Sequence, residues 1–531
     1  MKPKGLAQTL LGASALTAVV AISSIPHTAQ AVNAAWNTDA VSGNFNTAQW
    51  TSGVTVPVAG GTYTVISGDA LYFGTSTTTT LNNDLSGATF AGITFNSGAS
   101  AFTIGGNSFT LSGNITNNSS NLQTISNSIT ISGNRSFAGG TGGLALGGTI
   151  TSSTFVTYNG VVNLTGATTI DGGANNNQGY ATIGTAAGAT TVTISNGGSL
   201  LVNANTSTLT TTANTIIGQN NNGTSTLNVG AVDKSSSGTF TVNGQMGFAL
   251  GNNQTTATGI LNVNAGTATI NRGSTTATDN RSFIALGRDG GTGTINLNGG
   301  TLATDRNFVR DSSGGADVNG AANFNFAGGT LKALASQTDW LNSSTKNTNQ
   351  LALTSVTATN TSTIDSNGFS VAINNNISGP GGFVISSTNG GGTVTFGGNN
   401  SFAAGLSVLS GTAATDSSGN FGTGNITVQD FASAILTLGN GNSIADTALM
   451  LFGDASTINL NNATTETLAG ITQTDDSQSI GAGTYDALAL NTFFGVTTFQ
   501  GAGTLTVVPE PSAILLGGLG ALGLLRRRRT A

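Results

Sequence analysis

Residues 295–304 read Ile-Asn-Leu-Asn-Gly-Gly-Thr-Leu-Ala-Thr, two short alternating segments separated by Gly299-Gly300. Apolar residues at every second position place one face of a strand in a core and the other in solvent. Glycine between such segments supplies the positive φ that a sharp corner requires. This stretch therefore predicts two half-buried strands joined by a tight corner.

The same element recurs at a regular interval through the middle of the chain. Each of four copies of the element follows an apolar residue and a glycine, and these glycines are 34, 33 and 36 residues apart: Ile183-Gly184, Ile217-Gly218, Leu250-Gly251 and Leu286-Gly287. In the other three copies, the strand before the corner is 192–194, 227–229 or 261–263. The strand after the corner is 200–203, 240–243, 268–271 or 302–304 in the four copies. Residues 324–331 contain the element once more. The clearest repeats therefore span 180–334.

This repetition predicts an all-β fold, a right-handed parallel β-helix (a β-solenoid) with three faces per coil. A unit of short strands buries its apolar side only when neighbouring units stack on it. No segment of residues 32–508 has the periodicity of a helix, so crossover helices are not expected. We assign this whole range to the β-helix, with coils of roughly 20 to 34 residues and a rod of roughly 70 to 110 Å.

Two side-chain types suit such stacking. Asn at the corners can hydrogen-bond its equivalent in the next coil, and we expect ladders of this kind. The excess of Phe (24) over Tyr (5) and Trp (3) suits a narrow, dry interior filled by stacked apolar rings. A β-propeller is the structural alternative, although its blades normally contain four longer strands and more aromatic residues.

Residues 1–31 have the layout of a secretory signal peptide. Lys2 and Lys4 precede an apolar stretch from Leu10 to Ile25, and Ala29-Gln30-Ala31 offers small residues for cleavage. Polar residues dilute the apolar stretch, which argues against a retained transmembrane helix. We predict that residues 1–31 form a signal helix that is removed, and that the mature chain begins near Val32.

Residues 509–531 have three parts in a fixed order. Pro509-Glu510-Pro511-Ser512 (509–512) precedes an apolar run (513–525) and the basic residues Arg526-Arg527-Arg528-Arg529 (526–529). Cationic clusters stay on the cytoplasmic side of a membrane. The run would form a helix of about 20 Å, short of a hydrocarbon core of about 30 Å. Segment 509–531 therefore predicts a short transmembrane helix that anchors the chain transiently, with residues 32–508 beyond the membrane.

This tail resembles the PEP-CTERM sorting signal, which occurs on surface and matrix proteins of Gram-negative bacteria. The resemblance implies that an exosortase, a membrane-embedded cysteine protease or transpeptidase, recognises Pro509-Glu510-Pro511. It also implies a route from an inner-membrane intermediate to the cell surface or an extracellular (biofilm) matrix. A plain C-terminal anchor is the alternative, but an anchor does not require Pro-Glu-Pro.

Part of the body resembles the autotransporter-associated β-strand repeat. The best stretch, 377–412, contains Ile377-Ser378-Gly379, then Gly397-Gly398-Asn399-Asn400-Ser401-Phe402, and closes with Gly411-Thr412. Residues 129–137 are similar to its centre. The opening of the chain, with Trp36, Trp50 and residues 68–73, is similar to surface proteins that carry these repeats. The chain departs from true autotransporters at its C-terminus, where the sorting tail provides the route out.

Composition excludes several function classes. Only 7% of residues are charged, and residues 32–508 hold 9 basic and 20 acidic side chains, so nucleic acid is not an expected partner. The chain has no Cys, and its one histidine, His27, lies in the predicted signal peptide. Triad hydrolases and zinc sites are therefore not expected. We predict no cofactor and no metal.

Charge is dense only between residues 272 and 317, where five Arg and five Asp occur: Arg272, Asp279, Arg281, Arg288, Asp289, Asp305, Arg306, Arg310, Asp311 and Asp317. Five of them could share a rim on neighbouring coils and contact a glycan: Arg281, Arg288, Asp289, Asp305 and Arg306. The favoured interpretation is structural, because Arg and Asp also pair in surface loops and block wrong associations.

We therefore expect a non-enzymatic, exported β-solenoid that serves as a structural or adhesive component of the envelope or the extracellular polysaccharide matrix. An exosortase-like protease and exopolysaccharide or other surface glycans are the expected partners. One alternative is a carbohydrate-active β-helix similar to polysaccharide lyases and hydrolases. The other is a glycan-binding module without turnover.

Overall fold

The computed structural model describes residues 30–508 apart from short internal segments, namely 172–180, 184–189, 195–198, 205–214, 220–222, 245–247, 253–256, 272–282, 289, 312–319, 345–349, 462–464 and 476. Residues 1–29 of the predicted signal helix and the whole predicted C-terminal transmembrane helix lie outside the described residues. In the described part, no helix is both long and apolar enough to span a membrane.

The described strands stack in long parallel sheets that form three faces of a solenoid, which confirms the predicted parallel β-helix. The first face contains Asn33–Trp36, Trp50–Ser52, Ala70–Phe73, Gly92–Phe95, Ile115–Asn117, Arg135–Ala138, Val156–Asn159, Ala181–Ile183, Thr215–Gln219, Phe248–Asn252, Ile284–Arg288 and Phe308–Arg310. The second contains Thr80–Asn83, Thr103–Gly106, Gln123–Ile125, Leu144–Leu146, Val161–Leu164, Thr190–Ile194, Thr224–Val229, Thr258–Val263, Thr292–Leu297, Ala321–Phe326, Ser355–Ala358 and Ile377–Ser378.

The third face extends furthest along the chain. It contains Thr89–Phe90, Phe109–Leu111, Ile129–Ile131, Ile150–Ser152, Ala167–Asp171, Ser199–Ala204, Gly238–Gly244, Gly266–Asn271, Thr301–Thr304, Thr330–Ala333, Ser362–Asp365, Phe383–Ser386, Leu406–Val408, Ile426–Val428, Leu449–Phe452 and Gly470–Gln473. A further sheet contains Ser370–Ile373, Thr393–Phe396, Gly411–Thr415, Ala434–Leu438, Thr457–Leu460 and Phe499–Gly501.

Backbone pairing joins this further sheet to the first face. Phe308 forms a parallel bridge with Leu341, and Gln337 forms one with Val371 in the next coil. The N–H of Trp340 donates to Ala372 O at 2.8 Å. The coils before residue 150 and those after residue 335 therefore belong to one continuous stack.

The register confirms the predicted repeat in the middle of the chain. Ile183, Ile217, Leu250 and Leu286 lie opposite one another on successive coils. Nearer the start of the chain the coils are shorter, since Ile93 already lies opposite Ile115. The stacking residues keep their positions while the length of chain between them changes.

The predicted asparagine ladder is present on the second face. Asn262 Nδ2 donates to Asn228 Oδ1 at 2.9 Å, and Asn296 Nδ2 donates to Asn262 Oδ1 at the same distance. At the corner, Asn298 donates to Asn264 at 2.8 Å. Each side-chain amide can both donate and accept, so the ladder ties successive coils together outside the apolar interior.

Corner glycines act differently from our prediction at Gly299-Gly300. Neither has a positive φ. A Cβ on Gly300 would instead lie 2.7 Å from Gly266 O and 2.9 Å from Val263 Cγ1, and one on Gly329 would lie 2.6 Å from Gly300 O. Glycine is needed there because stacked corners bring one backbone against the next. Gly266 does have a positive φ, 94°.

Inward side chains fill the interior with aliphatic and aromatic groups, as predicted, but the rings are mostly not stacked on one another. Phe324 and Phe326 have ring centroids 4.8 Å apart, and Phe326 meets Phe383 edge-on at 5.0 Å. Parallel stacking occurs in places, such as Phe137 on Tyr158 at 5.7 Å. Most described ring pairs are tilted or T-shaped, the arrangement that the ring quadrupole favours.

Each end of the stack is closed by an element that is not a coil. At the start, Asn33–Trp36 pairs with Trp50–Ser52 in antiparallel fashion, and the buried rings of Trp36 and Trp50 meet at 4.9 Å. At the other end lies a helix, Ala487–Phe494, that the sequence pattern did not predict. Its 8 residues are too few to show helical periodicity.

Candidate functional site

The described chain ends in a small sheet next to the predicted sorting signal. Thr504–Val507 lies between Thr465–Leu468, which runs parallel to it, and Gly483–Asp486, which runs antiparallel. The N–H of Val508 donates to Leu468 O at 3.0 Å. Backbone pairing to the solenoid therefore continues up to the residue before Pro509.

Comparison with protein families gives a name to this end of the chain. Residues 507–529 match the PEP-CTERM protein-sorting motif. This motif implies recognition by an exosortase in the membrane and export through an exosortase-type sorting system. No curated protein and no solved structure matches the chain at a significant level. The resemblance of residues 377–412 to autotransporter-associated repeats stays a prediction.

The PEP-CTERM signal contains every predicted sorting residue, from Pro509-Glu510-Pro511-Ser512 to Arg526-Arg527-Arg528-Arg529. These residues lie outside the described part of the structure. The structure does show that the strand before them is a central strand of its sheet, with partners on both sides. The signal therefore directly follows a strand that is hydrogen-bonded on both sides at the C-terminal end of the solenoid.

The predicted glycan-contact residues are placed differently from a shared open rim. Arg288 Nε lies 3.0 Å from Asp311 Oδ2, and the two side chains are only 11% and 8% exposed. They belong to adjacent coils of the first face, where Leu286 lies opposite Arg310. This ion pair is mostly withdrawn from solvent and links two coils, as a structural role requires.

Arg306 and Asp305 are also engaged with their neighbours. Arg306 is fully buried; its Nη2 donates to Asn271 O at 3.0 Å, and its carbonyl oxygen accepts from the Trp340 indole at 3.1 Å. The Asp305 carbonyl accepts from Gln337 Nε2 at 2.7 Å. Arg281 and Asp289 lie outside the described residues. A glycan contact at this cluster therefore stays a prediction.

A buried carboxylate that the sequence reasoning missed lies in the terminal sheet. Glu466 accepts the N–H groups of Ser443 at 2.9 Å and Ile444 at 2.8 Å, and it lies opposite Leu505. Burial, with a smaller contribution from the Asp446 charge, raises the pKa of Glu466, and the two N–H donors lower it. The net effect is a pKa of about 7. The one available signal was that Glu466 is the only glutamate in residues 32–508.

A second missed carboxylate, Asp365, holds a corner of the third face. Burial tends to raise its pKa. Hydrogen bonds from Thr388, an ion pair with Lys332 at 3.1 Å and the N–H of Asn367 outweigh this effect, so the pKa of Asp365 lies below its usual value. Asn367 adopts a positive φ of 52° beside it. This charge is satisfied within the solenoid and serves its structure.

The third face also carries an array of outward hydroxyl groups, which we call the hydroxyl face: Ser108, Thr110, Ser112, Ser128, Thr130, Ser132, Thr149, Thr151 and Ser153. Thr110 lies opposite Thr130, and Thr130 lies opposite Thr151, on three successive coils. Such rows are about 4.8 Å apart between coils and about 6.6 Å apart along a strand. The result is a regular, uncharged surface of hydroxyl groups.

The described ranges hold no cluster of three His, Cys, Asp or Glu side chains arranged to bind a metal ion.

Proposed function

We propose that this protein is a non-enzymatic β-solenoid delivered by an exosortase-type system to the cell surface or the extracellular matrix, where it serves as a structural or adhesive component. The supporting observation is the continuous stack of coils that leads directly into the PEP-CTERM signal. A rod closed at both ends and joined to a sorting signal suits the display of an extended, stiff surface. The exosortase is its proposed processing partner.

The placement of charge supports a scaffold role. Lys332 and Arg288 are both paired with aspartates that are almost fully buried. Burying a charge is costly unless it is paired and hydrogen-bonded, so these groups are used to hold coils together. A carbohydrate-active β-helix would need carboxylate and basic groups that converge on an accessible cleft.

The hydroxyl face favours a second function, the binding of a neutral polysaccharide without turnover. Apart from Ser112, whose hydroxyl donates to Phe90 O at 3.2 Å, its hydroxyl groups can donate and accept hydrogen bonds, as sugar hydroxyls do. Thr110, Thr130 and Thr151 make no hydrogen bond through their side chains within the described chain, so they remain open to a ligand. A glycan strand lying across successive coils would meet the same groups at each coil.

Sorting is tested by changing Pro509→Ala together with Pro511→Ala in the full chain. We expect the variant to accumulate in the inner membrane, as the wild type should when the exosortase gene is deleted. Pro380→Ala, at an exposed position in the body, is the matched control. Normal surface delivery of the double variant would refute the sorting role of the motif.

The glycan function is tested by retention of the exported protein on immobilised polysaccharides, with an assay for released reducing or unsaturated sugar ends. Scaffold function alone predicts neither retention nor release. Retention that is lost in a Thr110→Val, Thr130→Val, Thr151→Val variant would support the hydroxyl face. Release of sugar ends would overturn the non-enzymatic proposal.

A further inference from the structure

A fully buried carboxylate lies at the base of the first coil. Asp69 Oδ1 accepts the N–H of Val32 at 2.8 Å, while Oδ2 accepts the Tyr63 hydroxyl at 2.8 Å and the N–H of Ile66 at 2.9 Å. No lysine or arginine of the described chain forms an ion pair with it. A buried carboxylate is costly without a cation, even when its oxygens are hydrogen-bonded.

One of these donors is the backbone nitrogen at the predicted cleavage site. Ala31 is exposed, and the bond between Ala31 and Val32 follows the small residues Ala29 and Ala31 of the predicted signal peptide. Val32 itself is held by the solenoid, because the N–H of Ala70 donates to Val32 O at 3.0 Å. The next residue, Asn33, lies opposite Ala70 in the sheet. The position of the Val32 nitrogen is therefore set by the fold.

We propose that Asp69 is a binding site for a primary ammonium group, the α-ammonium of Val32, which exists only after the predicted signal peptide has been removed. Hydrolysis of the Ala31–Val32 bond uses one water; Ala31 leaves as a carboxylate, and the Val32 amine takes up a proton. The neutral amide donor at 2.8 Å becomes a cation at the same place. Charge-assisted hydrogen bonds of this kind are shorter and stronger than neutral ones.

Tyr63 is the other titratable group that contacts the Asp69 carboxylate in the described residues. Burial raises the pKa of the Tyr63 hydroxyl, and the hydrogen bond and charge of Asp69 raise it further, so Tyr63 remains a neutral donor. Tyr63 therefore donates to Oδ2, while Oδ1 faces the Val32 nitrogen. Processing would thus add an ion pair beside the antiparallel strand pair that closes this end.

The test uses the exported full chain and a variant with one alanine inserted after Ala31, each with Asp69 or with Asp69→Asn. The insertion leaves the cleavage motif unchanged but moves the new ammonium by one residue, about 3.5 Å. We expect it to raise the unfolding equilibrium constant about tenfold to a hundredfold when Asp69 is present. It should have little effect in the Asp69→Asn background, and Asp39→Asn is the matched control for an exposed aspartate.

Mass spectrometry of the N-terminus separates this inference from the prediction on which it rests. A mature chain that begins elsewhere than Val32 overturns both. A chain that begins at Val32, but in which the insertion has the same effect with and without Asp69, overturns the ammonium site alone. If the Asp69→Asn chain fails to fold, the pKa of the Val32 α-amino group decides: it should exceed the ordinary range of about 7.7 to 8.0. A value within that range would overturn the proposal.

Discussion

At the scale of single residues, the solenoid uses several of its few charges inside rather than on its surface. Glu466 joins the terminal sheet to the last coils through two backbone N–H groups. Asp365 holds a corner of the third face by accepting the N–H of Asn367 and by its ion pair with Lys332. Only 7% of residues are charged, and these carboxylates are used for contacts within the solenoid.

Glu466 should make stability depend on pH. Its pKa is raised from 4.5 to about 7 in the folded protein, so folding takes up a proton between these values. The contribution of protonated Glu466 to the free energy of unfolding is fully present below pH 4.5 and is lost as the pH rises through 7. In denaturant titrations, Glu466→Gln should remove a fall of about 3 kcal/mol in the free energy of unfolding over this window. If the free energy of unfolding of the variant falls with pH as steeply as that of the wild type, Glu466 is not the source of the pH dependence.

Gly300 should be intolerant of a side chain because of close backbone approach. Gly300→Ala places a Cβ 2.7 Å from Gly266 O, and we expect a loss of about 1–3 kcal/mol in the free energy of unfolding. Gly105→Ala is the control, since a Cβ there meets nothing within 4 Å and its φ is not positive. Equal stability of the two variants would contradict the packing argument.

At the scale of elements, the terminal helix closes the interior where the coils end. Leu490 and Phe494 are buried, and the Phe494 ring meets Phe452 edge-on at 5.1 Å. Asp486 caps the helix by accepting the N–H of Ala489 at 2.7 Å, and Gly495 ends it with a φ of 70°. The helix thus covers apolar side chains that a further coil would otherwise cover.

Loss of the helix cap should loosen this end of the solenoid. We expect Asp486→Ala to cost about 1 kcal/mol and to speed amide hydrogen exchange in residues 487–494. Asp486→Asn should keep most of the stability, because asparagine caps nearly as well as aspartate. Faster exchange in both variants alike would indicate that the charge, rather than the cap, matters.

At the scale of the whole molecule, stability should be the sum of coils and the contacts between neighbouring coils. Leu261 lies opposite Ile295 on the next coil. Deleting residues 262–295 removes one coil and joins equivalent positions, and Asp311→Asn is added because Arg288, the ion-pair partner of Asp311, is lost with that coil. We expect the shortened chain to fold, with strand content that circular dichroism finds unchanged per residue.

A deletion of half that length is the control for the coil argument. Deleting residues 262–278 joins Leu261 to Asp279, so the chain no longer returns to the same face. We expect this variant to unfold or aggregate. Folding of both variants with equal stability would contradict a stack in which each coil must align with its neighbours.

The sequence by itself determined which side chains face inward and which elements stack. Alternation in residues 295–297 and 302–304, together with the regular spacing of the repeats, was enough to predict the sheets and the asparagine ladder. These are local or periodic properties, and a strand with one apolar face can hide it only against its equivalent in the next coil. The PEP-CTERM signal was readable for the same reason, because its three parts are contiguous.

Only the tertiary structure decided the contacts between residues far apart in the chain. The burial of Arg306, the ion pair of Arg288 with Asp311, and the carboxylates Asp69 and Glu466 depend on which coil lies against which. The reason for glycine at Gly300 likewise lies in Gly266, one coil away. Alternation determines only the face on which a residue lies, whereas coil length and stacking determine what it meets there.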